Sequence, residues 1–451
     1  MKDLTEGKEG KLILLFALPM LIGNIFQQLY NTVDSIVVGR FVGKEALGAV
    51  GTSFPIIFLL VSLIMGITMG STIIIAQYYG AKNMDKVKKS IDTAYIFLFV
   101  ASLIITIAGV IFSRNILIMM NVPDDILPEA EKYLKIIFSG MIGMFGYNSI
   151  SAILRGLGDS KTPLYFLIIS SIINIVLDLL FVLKFNMGVA GVAWATVIAQ
   201  GISFLIGIYY LNKTHEVLKF NIKSMRFNKE IFRQSLKIGL PTGIQQMLFS
   251  LGIMALQSLV NGFGSETVAA YTAAGRIDTF ASMPIMNFGT AISTFVGQNL
   301  GAGKEERAIN GFKATVKMTV IASLIASILI FIFGKWLIVL FSNDSKVIEI
   351  GFDYLKIVCS FYTVVGVMCI INGVLRGAGD TIPTMIISIF TLWFVRVLLA
   401  YILSNKMQSP NGIWWAIPIS WTVGLILTLI YYKTGKWKNK VVTKGRSFNG
   451  N

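Results

Sequence analysis

The chain predicts an all-α polytopic membrane protein: twelve transmembrane helices as two six-helix bundles, related by a pseudo-twofold axis along the membrane normal. Three observations carry this. Of 451 residues, 55% are hydrophobic and only 14% charged, with a mean hydropathy of +0.73, whereas soluble domains average about 25% charged. Apolar runs close to the ~20 residues that cross a bilayer as a helix recur from end to end. The sequence also matches itself at an offset of about 221.

In order, the expected spans have cores at 12–38, 53–76, 91–112, 133–153, 164–183, 188–211, 236–260, 268–296, 313–333, 352–374, 382–403 and 412–432. They lack period-2 alternation and are too long for barrel strands, which excludes a β-barrel. The first run is long and no small-residue cleavage site follows it, so no cleaved signal peptide is expected. The first and seventh spans carry Pro19 and Pro241 at equivalent places. A proline removes a backbone hydrogen bond and kinks a helix. The kink reads either as a hinge for alternating access or as a fixed bend that shapes packing.

The repeat is visible in three matches. LRGLGD at 154–159 returns as LRGAGD at 375–380, YYGAKNMDKVKKS at 78–90 as NLGAGKEERAING at 299–311, and FALPMLIG at 16–23 as IGLPTGIQ at 238–245. Six spans per copy leave both copies in the same orientation, the parallel-repeat arrangement of some transporters. The expected organisation is a lobe at 1–212, a basic cytoplasmic linker at 213–235, a second lobe at 236–432 and a basic tail at 433–451. In LRGLGD and LRGAGD the Arg and Asp are four apart, which reads as a structural turn with an ion pair.

The formal net charge of +16 raises nucleic acid as a partner, but the charge distribution argues against it. With both termini cytoplasmic, most of the 39 Lys and Arg fall on the cytoplasmic side, the positive-inside pattern. The segment 212–237 alone carries seven basic residues. These orient the chain and contact anionic lipid. His215, the single histidine, lies in this basic loop, so a His-ligated metal has no support. Cys359 and Cys369 fall on one expected helix, about 15 Å of rise apart, too far to bridge. No P-loop, HExxH or GxSxG pattern is present, which leaves ATP-driven transport and these hydrolase chemistries unsupported.

Candidate functional residues are the polar groups inside spans. The first span carries Asn24, Gln27, Gln28, Asn31 and Asp34, mostly on one helical face. Its repeat partner carries Gln245 and Gln246. The stripes read as the lining of an aqueous cavity, with interhelical hydrogen bonding as the alternative. Asn174 and Asp178 in the fifth span share a face at i, i+4. A carboxylate at a helix centre costs about 2.5–3.5 kcal/mol, so it requires a partner, a wet cavity or a role. Two carboxylates in a low-dielectric bundle do not both stay ionised: the pair takes up a proton or holds a cation. The repeat equivalents of Asp34 and Asp178 are apolar, which points to an ion site in one lobe. Arg396, inside the eleventh span, reads as a cavity residue or as a snorkelling side chain. Arg276 and Asp278 in the eighth span do not share a face and are expected to bond elsewhere.

VDSIVVGRFVG after Pro19, the LRGxGD pair, NIVLD followed by MGVAGVAWAT, and FVGQNLGAG together resemble the MATE (multidrug and toxic compound extrusion) family over nearly the whole chain. The resemblance implies two six-helix lobes with a central cleft, and efflux of amphipathic, often cationic compounds driven by inward H⁺ or Na⁺. It implies a first-lobe cation site at Asp34, Asn174, Asp178 and Thr196, the last being the Thr of AWAT, with Na⁺ as its metal if sodium is the coupling ion. The acids that NorM-like members carry on helices 7 and 10 read Phe249 and Val365 here, so a DinF-like or related bacterial branch is the more similar. The expected function is therefore a secondary-active multidrug antiporter of the bacterial cell membrane. It needs no cofactor beyond the coupling ion, is not an enzyme, binds small organic substrates and the lipid bilayer, and acts as a monomer. The alternatives are a flippase for a lipid-linked or other specialised metabolite and, from another class, a polytopic membrane enzyme.

Overall fold

A computed structural model describes residues 2–214, 218–221 and 223–443. His215 and residues 444–451 of the basic tail lie outside the described residues. Among the described residues, nine helices of 23 to 36 residues are apolar enough to cross a bilayer, and two further spans are bent pairs. The remaining expected span, the eighth, is the 37-residue helix Ser265–Gly301, which carries Arg276 and Asp278. All twelve expected spans are helical. In lipid a spanning segment must satisfy its own backbone hydrogen bonds, and a helix does so locally.

The first repeat contains α1 (Glu9–Val37), α2 (Lys44–Gly80), α3 (Met84–Met119), the pair α4 (Leu127–Ser139) and α5 (Met141–Gly156), α6 (Lys161–Leu179) and α7 (Val189–Thr214). The second contains α8 (Lys229–Asn261), α9 (Ser265–Gly301), α10 (Glu305–Val339), the pair α11 (Ser345–Cys359) and α12 (Tyr362–Ala378), α13 (Thr381–Ile389) and α14 (Leu398–Met407) joined into one span by the π-helical stretch Phe390–Val397, and α15 (Asn411–Lys433). Both bent pairs turn by 50° at equivalent places, Gly140 and Ser360–Phe361. A Cβ on Gly140 would stand 2.3 Å from Val197 of α7, so the bend uses the missing side chain.

The backbone repeats with the sequence. Gly43 (φ 123°) precedes α2 and Gly264 (φ 93°) precedes α9, while Gly158 (φ 81°) and Gly379 (φ 89°) close the two LRGxGD turns. All four occupy the left-handed half of φ space, where glycine carries no Cβ penalty. The ion pair expected within LRGLGD is not formed. Asp159 instead accepts from the backbone N–H of Lys161 and Thr162, both at 3.0 Å, and from Thr162 Oγ1 at 2.7 Å. It caps α6, because the first backbone N–H groups of a helix need acceptors.

The described residues divide into two packing units. Unit 1 holds Ile22–Gly239 and unit 2 holds Asp3–Leu21 together with Leu240–Asn451. Residues 3–21 belong to unit 2, where Ile13, Phe16 and Ala17 enter a core with Phe295, Ile371 and Trp437. The N-terminal segment is also clasped there by polar groups: Leu4 N–H donates to Gln298 Oε1 at 3.0 Å and Asn299 Nδ2 donates to the Leu4 carbonyl at 3.1 Å. Reciprocally, the first turns of α8 pack in unit 1. A Cβ on Gly70 of α2 would lie 2.3 Å from the Ser235 carbonyl, so the two backbones touch.

Candidate functional site

Helices α1, α6 and α7 build one polar centre inside unit 1. Asn174 and Asp178 sit one turn apart on α6, 1% and 0% exposed. Thr196 of α7 receives the Asn174 amide at 3.4 Å and donates to the Val192 carbonyl at 3.1 Å. From α1, the Tyr30 hydroxyl lies 3.4 Å from Thr196 Oγ1 and within hydrogen-bonding reach of Asp34. The carboxyls of Asp34 and Asp178 face each other at hydrogen-bonding range. The structure therefore brings Asp34, Asn174, Asp178 and Thr196 together.

What these atoms lack is donors. Asp34 Oδ1, both Asp178 oxygens and Asn174 Oδ1 are buried with no hydrogen-bond partner. Two carboxylates cannot donate to one another, so a bond between them forms only around a proton or a cation. The donor set of two carboxylates, an amide carbonyl and a hydroxyl suits a hard ion as well as it suits H⁺. Both carboxylates also stand just before π-helical turns, Val38–Val42 after α1 and Leu180–Lys184 after α6. Such turns interrupt the regular ladder and recur at functional sites.

Two neighbours escaped the sequence reading. Tyr30 lies one turn before Asp34, an i, i+4 relation that could have flagged it. Tyr133 of α4 lies within electrostatic range of both carboxylates, and only packing brings it there.

The remaining candidates separate. Asn24 and Asn31 are exposed on α1, and Gln27, half-buried, donates to Asn31 at 3.4 Å; Gln28 is half-buried beside them. In unit 2, Gln245 donates to Ser388 at 2.7 Å while Gln246 is exposed. Pro19 and Pro241 are both buried within their helices. Arg396 is 8% exposed, inside the π-helical stretch Phe390–Val397. It donates through Nε to Ser420 at 2.8 Å and stacks 5.7 Å over the Trp421 ring.

Unit 2 has a half-buried carboxylate of its own, inside α9. Asp278 of α9 accepts from Tyr362 at 2.6 Å and from Tyr354 at 3.3 Å, with Arg396 in electrostatic range. As the i, i+2 spacing leads one to expect, Arg276 is not its partner. The true partners lie 76 and 84 residues away, on either side of the α11–α12 bend. Asp278 differs from the unit 1 pair in having two hydroxyl donors already.

The MatE family model matches the chain twice, over residues 19–180 and 241–402, once per repeat. The chain is 34% identical over 436 residues, 97% of each chain, to the probable multidrug resistance protein YpnP of Bacillus subtilis (strain 168). It is 23% identical over 424 residues, 94% of this chain and 93% of the other, to the multidrug export protein MepA of Staphylococcus aureus (strain bovine RF122 / ET3-1). Among solved structures it is similar to an outward-facing multidrug resistance MATE family transporter of the MOP superfamily, with a TM-score of 0.91 and 25% identity over 97% of this chain and 99% of the other.

Proposed function

Because the chain belongs to the MatE family, we propose that it is a secondary-active antiporter that exports amphipathic, cationic organic compounds in exchange for H⁺ or Na⁺. It is a multi-pass membrane transporter rather than an enzyme. The bacterial plasma membrane and cytoplasmic termini follow, in this proposal, from the positive-inside distribution of Lys and Arg.

One observation carries the coupling site: the four buried, donor-less oxygens of Asp34, Asn174 and Asp178. Buried acceptors without donors are costly, at about 1–3 kcal/mol each. A proton shared by the two carboxyls, or a cation among the four oxygens, removes that cost. Asp278 offers no comparable vacancy, since Tyr354 and Tyr362 already donate to it. We therefore assign coupling to unit 1.

The ion acts on a helix that both units share. From Ile22 onward α1 packs in unit 1, and its earlier turns pack in unit 2. Binding the ion ties Asp34 of α1 to Asp178 of α6, and releasing it leaves two acids opposed. The occupied and empty site thus favour different packings of α1, which is the differential affinity that a conformational shift requires. Pro19, three residues before Ile22, is where α1 lacks a backbone bond and bends most readily.

The test is efflux of a fluorescent organic cation from proteoliposomes under an imposed pH gradient or an imposed Na⁺ gradient. One of the two gradients is expected to drive transport, and Asp34→Asn to abolish it while the protein still inserts. Full gradient-driven efflux by Asp34→Asn would sink the mechanism. Silence of the wild type under both gradients would overturn the substrate assignment.

A further inference from the structure

Unit 1 contains a cavity of about 300 Å³ that the coupling centre does not use. Its walls are α3, α5 and α7, through Phe99, Ile142, Gly146 and Phe204, and its roof is the segment after α7, through Phe220 and Met225. The size is at the low end for small-molecule pockets, about 300–1,000 Å³. The lining is almost wholly apolar, and Phe99 at its edge is 57% exposed on a helix whose outer face is apolar. The cavity therefore borders the lipid.

Three further features make this more than a packing gap. Tyr95 and Ser149 line the cavity, are 5% and 1% exposed, and have hydroxyl oxygens with no hydrogen-bond partner. A buried hydroxyl with nothing to bond is uncommon, and its usual explanation is a missing partner. The roof is also fixed in place: Lys88 donates to the Lys219 carbonyl at 2.8 Å, Asn228 N–H donates to Thr93 at 3.1 Å, and the Phe220 ring meets Tyr95 edge-on at 5.2 Å. Finally, the roof is basic. Lys223 and Arg226, within two residues of the roof residue Met225, are exposed, and among the described residues neither pairs with a carboxylate.

We propose that this cavity is a binding site for an anionic phospholipid. One acyl chain fills the apolar space, an ester carbonyl accepts from the Tyr95 and Ser149 hydroxyls, and the phosphate lies against Lys223 and Arg226. Each part of the ligand meets a matching part of the site: hydrocarbon with hydrocarbon, acceptor with orphaned donor, negative with positive charge. The roof belongs to the segment that joins α7 to α8, so the lipid holds that segment against α3. A cationic drug is the wrong ligand, because its charge would meet two basic side chains and its acceptors are few.

The experiment is photolabelling of the full-length protein in phosphatidylcholine nanodiscs doped with a phosphatidylglycerol carrying a diazirine in its acyl chain, with adducts mapped by peptide mass spectrometry. Adducts are expected at 95–102, 142–149 and around Phe204, competed by unlabelled phosphatidylglycerol and not by phosphatidylcholine. Filling the cavity with Ser102→Phe should remove these adducts. Lys223→Gln with Arg226→Gln, both on the surface and safe for folding, should weaken labelling roughly fivefold per charge removed, the effect of about one Lys or Arg at a lipid surface. Adducts spread evenly over the lipid-facing helices, equal competition by phosphatidylcholine, or unchanged labelling of the charge variant would overturn the proposal.

Discussion

Replacing Asp178 by Asn should make the protein more stable and inactive at once. The magnitude follows from the orphaned oxygens. Asp178 contributes two acceptors and Asp34 one, all buried and without donors. An asparagine at 178 exchanges one acceptor for an amide with two N–H donors, and the Asp34 carboxylate lies within hydrogen-bonding range of it. One orphaned acceptor disappears and another is satisfied. Counting a single satisfied acceptor at about 1–3 kcal/mol, and about 2–4 °C per kcal/mol for a unit of 150–250 residues, the melting temperature should rise by roughly 2–12 °C. Tryptophan fluorescence during heating of the detergent-purified variant reads this directly, and proteoliposome efflux reads the lost coupling. Asp34→Asn should stabilise similarly. The double variant should gain less than the sum of the two, because one amide already satisfies the facing group; a coupling of about 0.5–3 kcal/mol is the ordinary range for contacting residues. A melting temperature that falls or stays fixed in Asp178→Asn would refute the claim that these oxygens lack partners. Such a gain at the expense of activity is the trade expected where function keeps a site under-satisfied.

Two other outcomes rest on separate parts of the structure. Tyr362→Phe removes the 2.6 Å bond to Asp278 and should cost about 1.5–3 kcal/mol, the range for a bond to a charged group; Tyr354→Phe removes a 3.3 Å bond and should cost less, so equal or reversed losses in thermal unfolding would contradict the geometry. Gly70→Ala forces a Cβ to within 2.3 Å of the Ser235 carbonyl and should destabilise by about 1–3 kcal/mol, as overpacking does. Gly201→Ala on α7, whose Cβ would meet nothing within 4 Å, should instead gain up to about 1 kcal/mol of helix propensity; if the two variants melt alike, the close crossing of α2 and α8 is wrong.

The sequence by itself determined the twelve spans, their repetition and the chemistry of α1 and α6. These are local properties. A bilayer demands one uninterrupted run of self-satisfied backbone per crossing, so length and apolarity suffice to find each span. The duplicated positive-φ glycines at 43 and 264, and at 158 and 379, are likewise local, since each turn needs its own residue. The i, i+4 spacing of Asn174 and Asp178 fixes their shared face before any packing is known.

Tertiary structure alone decided which faces meet. Lipid tails are as apolar as leucine, so hydrophobicity gives no preference among helix partners in the membrane. Partner choice rests on close backbone approach and on polar pairing, neither of which has a short-range signature. That is why Asp278 found Tyr354 and Tyr362 only in the fold. It is also why the ion pair expected in LRGLGD gave way to a helix cap at Asp159, and why residues 3–21 pack in unit 2 although they begin the first repeat. The same holds at the candidate ion site. Spacing placed two acids on their helices, but only the assembled bundle shows that no donor reaches four of its buried oxygens.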